Sequence, residues 1–291
     1  MLEYALLAGL VFGLYFSLVG LGLNLVFGVM RIVNLAHGDF LMLGAFGAFW
    51  LFNLYHLNPI ATVFIALAVF GALGVPLYYL LVPRLQRARD PEMLSIILFF
   101  GLSQVIEALA TVGFGPSERS IPGRVLGSGP VHVLGQTFPA AWMVSAAASA
   151  LAVLGVYFYL YRTRLGYLTR AVMVHREEAL ATGIDVHRVS AIAFGAGLAL
   201  AAIAGVFAPF MLGSATPAMG VDLNIQSFAV IVIGSLGNPL GTVLGGILYG
   251  VSLMFMQTYF SSWANLLPYL LLILILLVRP SGLLGRQVRR A

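Results

Sequence analysis

Residues 4–30 read YALLAGLVFGLYFSLVGLGLNLVFGVM, an apolar run of 27 residues without one charged side chain. A helix needs about 20 consecutive apolar residues to cross the hydrocarbon core of a bilayer, so this stretch predicts a transmembrane helix. Comparable runs recur along the chain, about eight in all, and they predict an all-α, polytopic transmembrane bundle. They cover residues 4–30, 40–55, 59–82, 93–114, 139–161, 191–219, 223–260 and 263–278.

The composition of the whole chain also indicates a membrane protein. Of its 291 residues, 61% are hydrophobic and only 9% are charged, against about 25% charged residues in soluble domains. The chain has no cysteine, which excludes disulfide scaffolds, thiolate metal sites and cysteine nucleophiles. All fifteen basic residues are arginine, and a chain without lysine can build neither a P-loop nor a lysine Schiff base. We therefore expect no cofactor and no metal in this chain.

The arginines predict the orientation of the bundle. Twelve of the fifteen lie in three clusters, each next to an apolar run. Because basic loops stay on the cytoplasmic side, we predict three inner faces, an external N-terminus and a cytoplasmic C-terminus. The basic charge then marks topology and does not indicate a nucleic-acid partner. The clusters are Arg84, Arg87 and Arg89; Arg162, Arg164, Arg170, Arg176 and Arg188; and Arg279, Arg286, Arg289 and Arg290.

Two stretches rich in helix-breaking residues interrupt the apolar runs. The first, residues 31–39, reads RIVNLAHGD, and the second, residues 235–241, reads SLGNPLG. The crossing count requires residues 223–260 to enter and leave on one side, which predicts a discontinuous, partly re-entrant hairpin. Paired interruptions in the two halves of a transporter point to its substrate path. The alternative is two unrelated loops with ordinary glycine packing.

The candidate path residues are polar or small positions around these interruptions. A helix that begins near Gly38 would direct the positive end of its dipole into the first break, where a substrate carboxylate could bind. Asp39 could cap that helix or face a substrate ammonium group. All of these side chains could instead satisfy the exposed backbone of broken helices. The candidates are Asn34, His37, Gly38, Asp39, Asn224, Gln226, Ser235, Gly237 and Asn238.

A polar stretch at residues 162–189 separates the two halves of the chain. Thr169 and Gly183 are suited to cap the two ends of a short helix between them. The end of that helix, EALATG at residues 178–183, resembles the coupling loop of ABC-transporter permeases, which docks on an ATPase subunit. The alternative is a solvated basic loop that only fixes topology. The predicted ATPase-coupling residues are Arg170, Arg176, Glu177, Glu178, Ala179 and Gly183.

Several motifs in the right order make the resemblance specific. Together they are similar to branched-chain amino acid ABC-transporter permeases of the LivH type. Ser235 and Asn238 stand where that family pattern has Gly and Ser, which leaves the ligand open. The motifs are GLNLVFG at 22–28 with NLAHGDFLMLGA at 34–45, FGP at 114–116 with RSIP at 119–122, GID at 183–185, the glycine-rich stretch 234–246, and RPSGLLG at 279–285.

The resemblance implies a subunit of a bacterial inner membrane that forms the path for branched-chain or related amino acids. Its implied partners are a homologous second permease, two cytoplasmic ATPases that bind ATP and Mg²⁺, and an extracytoplasmic binding protein. We expect one permease domain over residues 1–291, with halves at 1–161 and 190–279, the coupling loop at 162–189 and a cytoplasmic tail at 280–291. An ion- or proton-coupled secondary transporter is the main alternative, and an intramembrane enzyme or a purely structural subunit are others.

Overall fold

The structure is a computed structural model, and it describes residues 1–285; Arg286, Arg289 and Arg290 of the predicted basic tail lie outside the described residues. Short turns of 3-10 helix lie at Gly123–Val125 and Ser261–Leu266, and strands β1 (Pro130–Val133) and β2 (Gln136–Pro139) form an antiparallel hairpin. The α-helices are α1 (Leu2–Met30), α2 (His37–Tyr55), α3 (Pro59–Gln86), α4 (Pro91–Phe114), α5 (Ala140–Arg162), α6 (Arg164–Val174), α7 (Arg176–Ala181), α8 (Val186–Met211), α9 (Met219–Gly234), α10 (Pro239–Tyr259) and α11 (Leu267–Val278).

The prediction of a polytopic helical membrane protein is confirmed. Within the described residues, seven helical segments are long and apolar enough to cross a membrane: α1, α3, α4, α5, α8, α10 and residues 261–278. The short helix α9, with 16 residues, is apolar but falls below that length. The small β-hairpin was not predicted from the sequence. It turns at Leu134 and Gly135, both with positive φ (48° and 78°), as a two-residue hairpin turn requires.

Helices α1 and α8 form the centre of the bundle. The apolar stretch of α1 is 78% buried and that of α8 is 89% buried, whereas the other full-length helices reach 44% at most. A transmembrane helix that is mostly covered by protein contacts little lipid. It can therefore contain polar residues, and the chain next to it can be non-helical. The two central helices therefore provide the surroundings in which irregular backbone is tolerated.

The two central helices pack closely against their neighbours through glycine. A methyl group on Gly246 of α10 would collide with the backbone of Ser17 in α1. In the same way, a methyl group on Gly74 of α3 would collide with the backbone of Gly195 in α8. Such contacts bring helix backbones together in lipid, where association depends on close packing rather than on the hydrophobic effect.

The pairing of helices relates the two halves of the chain by an inverted repeat. Helix α1 packs antiparallel on α10, and α8 packs antiparallel on α3. Each central helix is also followed by a short non-helical segment and then by a shorter helix, α2 after α1 and α9 after α8. Helices α1–α4 thus correspond to α8–α11 with the opposite direction, as in many transporters with inverted repeats.

The ends of α1, α3 and α5 meet the start of α8 at one end of the bundle. Arg176 bonds there to Gln86, the last residue of α3, to Ser190 of α8 and to the carbonyl of Val29 in α1. We call this the arginine-rich end, because the arginines of the first two clusters lie on the segments that meet there. The other end is called the opposite end below.

The glycine contacts predict that two glycine-to-alanine substitutions affect the melting temperature differently. Gly246→Ala should lower the melting temperature of the detergent-solubilised protein, because an overpacked helix contact costs about 1–3 kcal/mol. Gly101→Ala in α4, where a methyl group meets no atom within 4 Å, should leave it unchanged or raise it, since alanine favours helix by about 0.5–1 kcal/mol. A similar shift for both variants would contradict the proposed packing role.

Candidate functional site

The interruption after α1 returns the chain to the interior of the bundle. Helix α1 ends at Met30, but Nε2 of His37 lies 3.1 Å from the carbonyl oxygen of Val19 in the middle of α1. The eleven residues from Val19 to Met30 rise about 17 Å in a helix. Residues 31–36 are non-helical and can span about 20 Å when extended. Helix α2 therefore starts inside the bundle, and the segment at 31–36 is re-entrant.

Side chains and neighbouring helices hold this re-entrant segment. The amide of Val33 donates to Oγ of Ser95 in α4 at 3.2 Å, and the amide of Ala36 donates to Oδ1 of Asn34 at 3.1 Å. Backbone groups at membrane depth need such partners because lipid provides none. One function of Asn34 is thus to satisfy a backbone group of the interrupted helix.

A further interruption, at residues 212–218, was not predicted from the sequence. It follows α8 and precedes α9, and the backbone of Ala215 pairs with that of Arg119 through two hydrogen bonds of 2.7 and 2.9 Å. The apolar run at 191–219 obscured it. The available signal was the cluster Gly213, Ser214, Thr216 and Pro217, a composition typical of loops.

The two shorter helices that follow these interruptions cross each other at Gly38 of α2 and Gly220 of α9. A methyl group on Gly38 would collide with the carbonyl oxygen of Gly220, and one on Gly220 would collide with the carboxylate of Asp39. The contact is therefore backbone to backbone. It places the starts of these two shorter helices together in the interior, which is the arrangement of substrate sites in transporters with broken helices.

Polar side chains surround this crossing, and some of their atoms have no hydrogen-bond partner among the described residues. Asn34, His37 and Asp39 are at most 1% exposed, and Asn224 is 7% exposed. Among the described residues, nothing bonds to Nδ2 of Asn34, Nδ1 of His37, either carboxylate oxygen of Asp39, or Oδ1 of Asn224. A buried polar atom without a partner is costly, so these atoms are suited to bind water or a polar solute.

The predicted interruption at residues 235–241 is the turn between α9 and α10. Asn24 of α1 holds it: Nδ2 donates to the carbonyl oxygens of Ser235 (3.3 Å) and Asn238 (3.1 Å), and Oδ1 accepts from the amide of Gly237 at 2.6 Å. Nδ2 of Asn24 also contacts Oγ1 of Thr242. Asn24 was not among the predicted site residues, although it is the lone amide in the long apolar run of α1.

The turn and the crossing lie on different sides of α1. His37 packs against Gly22, where an added methyl group would lie 3.0 Å from the imidazole, whereas the turn bonds to Asn24. Side chains two positions apart in a helix point about 200° apart, since each residue turns the helix by about 100°. The predicted pairing of the interruptions at 31–39 and 235–241 is therefore wrong, because the first faces the start of α9, at Gly220 and Asn224.

The predicted path residues accordingly fall into three groups. Asn34, His37, Gly38, Asp39 and Asn224 lie at the crossing. Gln226, on the other side of α9, borders a separate cavity at the opposite end. Ser235, Gly237 and Asn238 lie in the turn beside α6, at the arginine-rich end.

The polar stretch between the halves forms two helices where one was predicted. The chain breaks at His175, between α6 and α7, and the N-cap of α6 is Thr163, whose hydroxyl accepts from the amide of Gly166 at 3.0 Å. Thr169 lies inside α6, so its predicted capping role is wrong. Gly183 is confirmed at the C-terminal end, because it has φ +85° and its amide donates to the carbonyl of Leu180.

Both arginines predicted to contact an ATPase turn toward the bundle. Nε of Arg170 donates to the carbonyl of Leu160 at 2.9 Å, and its guanidinium lies over the rings of Tyr161 and Tyr167. Arg176 makes the contacts at the arginine-rich end already described. The side chains left exposed on α7 include those of Glu177 and Glu178, while Ala179 is buried.

Comparison with known proteins agrees with this architecture. Residues 5–276 match the family model described as "Branched-chain amino acid transport system / permease component". The chain belongs to this permease family. It is 28% identical to the high-affinity branched-chain amino acid transport system permease protein BraD of Pseudomonas aeruginosa, over 97% of this chain and 95% of the relative. No solved structure matches the chain.

Two further relatives show the range of the similarity. The permease is 26% identical to LivH of Escherichia coli K12, a high-affinity branched-chain amino acid transport system permease protein, over 96% of this chain and 94% of the relative. It is 24% identical to the ribose import permease protein RbsC of the same strain, over 75% of this chain and 69% of the relative. A permease component is one part of a larger transport system, so the match favours a subunit over a self-contained secondary transporter.

The bonds of Asn24 lead to a prediction about the turn of this permease. Asn24→Leu should lower the free energy of unfolding by about 3 kcal/mol, because it leaves buried backbone groups of the turn without a partner. Asn53→Leu replaces an exposed amide on α2 and should change stability little. Thermal melting in one detergent measures both. Equal stability of the two variants would show that the turn does not depend on Asn24.

Proposed function

We propose that this permease forms the translocation path of an ABC importer for branched-chain or related amino acids. The observation that supports the proposal best is the crossing of α2 and α9, with its buried, unpartnered polar atoms. The names of BraD and LivH favour branched-chain amino acids over the sugar named for the more distant relative RbsC. On this proposal the protein is a transport subunit and not an enzyme.

The partners follow from the same proposal. A homologous second permease would complete the path, and an extracytoplasmic binding protein would deliver the substrate. Two cytoplasmic ATPases would bind ATP and Mg²⁺, because this chain has no lysine for a P-loop. The arginine-rich end would then face the cytoplasm and the N-terminus the outside.

The crossing suits a path that opens on alternate sides. Helices α2 and α9 are each joined to a central helix through a non-helical segment, 31–36 or 212–218, which can bend without breaking a helix. Gly38 and Gly220 make the contact through backbone atoms, so a small displacement of one helix opens or closes it. A substrate would bind the polar atoms at the crossing only weakly and briefly. Selectivity would then lie in the binding protein. The residues that supply these atoms are Asn34, His37, Asp39 and Asn224.

Helices α6 and α7 are positioned to transmit ATPase movement. Glu177 and Glu178 are exposed on α7 and are available to an ATPase, beside a surface groove between α6 and α7. Arg176 bonds from α7 to three transmembrane helices, α1, α3 and α8. We assign Arg176 as the link between the docking surface and the bundle, and not as a direct ATPase contact.

The crossing predicts that a single methyl group blocks transport. The complete importer, reconstituted in liposomes, should take up radiolabelled L-leucine only when ATP is supplied to its ATPases. Gly38→Ala should reduce this uptake at least tenfold, because the added methyl group separates α2 from α9. Gly47→Ala on the same helix, where a methyl group meets no atom within 4 Å, should transport like the wild type. Uptake driven by a proton gradient without ATP would exclude the proposed function.

The contacts of Arg176 predict loss of coupling with retained assembly. Arg176→Met should leave the ATPases bound, because the variant keeps the exposed surface of α7, but should lower the leucine transported per ATP hydrolysed. Arg164→Met, at an exposed arginine of α6, is the matched control. Co-purification measures assembly, and parallel uptake and phosphate-release assays measure the ratio. An unchanged ratio in the Arg176 variant would refute the linking role.

A further inference from the structure

A polar cavity at the opposite end of the bundle is separate from the crossing. It has a volume of about 410 Å³ and lies between α9, α10 and the segment that leads into α11, with Phe16 of α1 at its side. This is within the usual size range of small-molecule sites. Its polar lining residues are Asp222, Gln226, Tyr249, Gln257 and Asn265.

We infer that this cavity is a receiving site that binds the zwitterionic end of an amino acid before it reaches the crossing. The inference rests on the proposed function, since it names a site for the same substrate class. It assigns Asp222 to the ammonium group, and the amides and the tyrosine hydroxyl to the carboxylate. The apolar lining would contact the aliphatic side chain of the substrate.

The charges of the lining favour a zwitterion over an anion or a neutral polyol. Asp222 is the one acidic residue of the lining, and no basic residue is among the described residues that line the cavity. A carboxylate with no basic partner in the site attracts a cationic group such as an ammonium. The amide groups of Gln226, Gln257 and Asn265 can donate to a substrate carboxylate without adding charge.

Two buried polar atoms also point to a ligand. Tyr249 is fully buried, and among the described residues its hydroxyl has no hydrogen-bond partner; the same holds for Oε1 of Gln226. Buried tyrosine hydroxyls usually have a partner. Both residues line this cavity, so polar groups without a partner in the described protein border the space that a bound molecule would occupy.

Helix α9 connects the cavity to the crossing. Asp222 and Gln226 are four residues apart and share the face that lines the cavity. Asn224, two positions from each, lies on the other face, where its backbone N–H is close to Gly38 of α2. A displacement of α9 would therefore change the cavity and the crossing together. On this inference the substrate binds first in the cavity and then passes the crossing.

A labelling experiment tests binding without requiring transport. The chain has no cysteine, so Leu266→Cys, at an exposed residue of the lining that is not one of the polar donors, places one thiol of this chain at the cavity. Glu118→Cys, at an exposed position outside it, is the control. In the assembled importer, L-leucine at about ten times its Kd should slow alkylation of the Leu266 variant about tenfold and leave the control unchanged. D-ribose should have no effect. Equal rates with and without L-leucine, or protection by D-ribose instead, would overturn the inference.

A transport experiment separates this inference from the proposed function. Asp222→Asn keeps size and hydrogen bonding but removes the charge, and it should lower L-leucine uptake about tenfold at normal expression, the effect of losing about 1.4 kcal/mol. Glu118→Gln removes an acid outside the cavity and should transport normally. Normal uptake by the Asp222 variant would overturn the receiving site alone, whereas an inactive wild-type importer would count against the proposed function.

Discussion

The main physical constraint on this protein is that lipid offers no hydrogen-bond partners to an exposed backbone. Residues 31–36 and 212–218 are non-helical and lie against the interior of a helical bundle. They are tolerated because protein groups satisfy them, among them the hydroxyl of Ser95 and the backbone of Arg119. The same constraint explains why α1 and α8, which precede these segments, are the most deeply buried long helices.

Satisfying that constraint depends on close helix packing. Glycines on α1, α3, α8 and α10 allow backbone contact between these helices, which surround much of the irregular segments. The crossing of α2 and α9 uses the same device at Gly38 and Gly220. A substrate path can therefore consist of a few polar atoms between helices that remain tightly packed elsewhere. The cavity at the opposite end, the crossing and the α6–α7 segment then lie in order from one end of the bundle to the other.

Much of the architecture could be predicted from local sequence. The apolar runs located the membrane-spanning helices, and the motifs placed the chain in its family. RIVNLAHGD at 31–39 was recognised as an interruption, and Gly183 as a helix end. The segment at 212–218 was not recognised, because its loop-forming residues lie in an apolar run. The role of Asn24 was missed because its partners, at Ser235, Gly237 and Asn238, are more than 200 positions away in the sequence.

The sequence by itself determined the membrane class and the permease family, and it excluded a P-loop in this chain, since hydropathy, motifs and the absence of lysine are properties of the chain alone. Only the tertiary structure decided which interruptions face each other and which polar residues share a site. The physical reason is that a helix has a direction and a face: α1 separates His37 from the turn at Ser235, and α9 separates Asn224 from Asp222 and Gln226. Those separations depend on how distant helices pack, which local patterns do not encode.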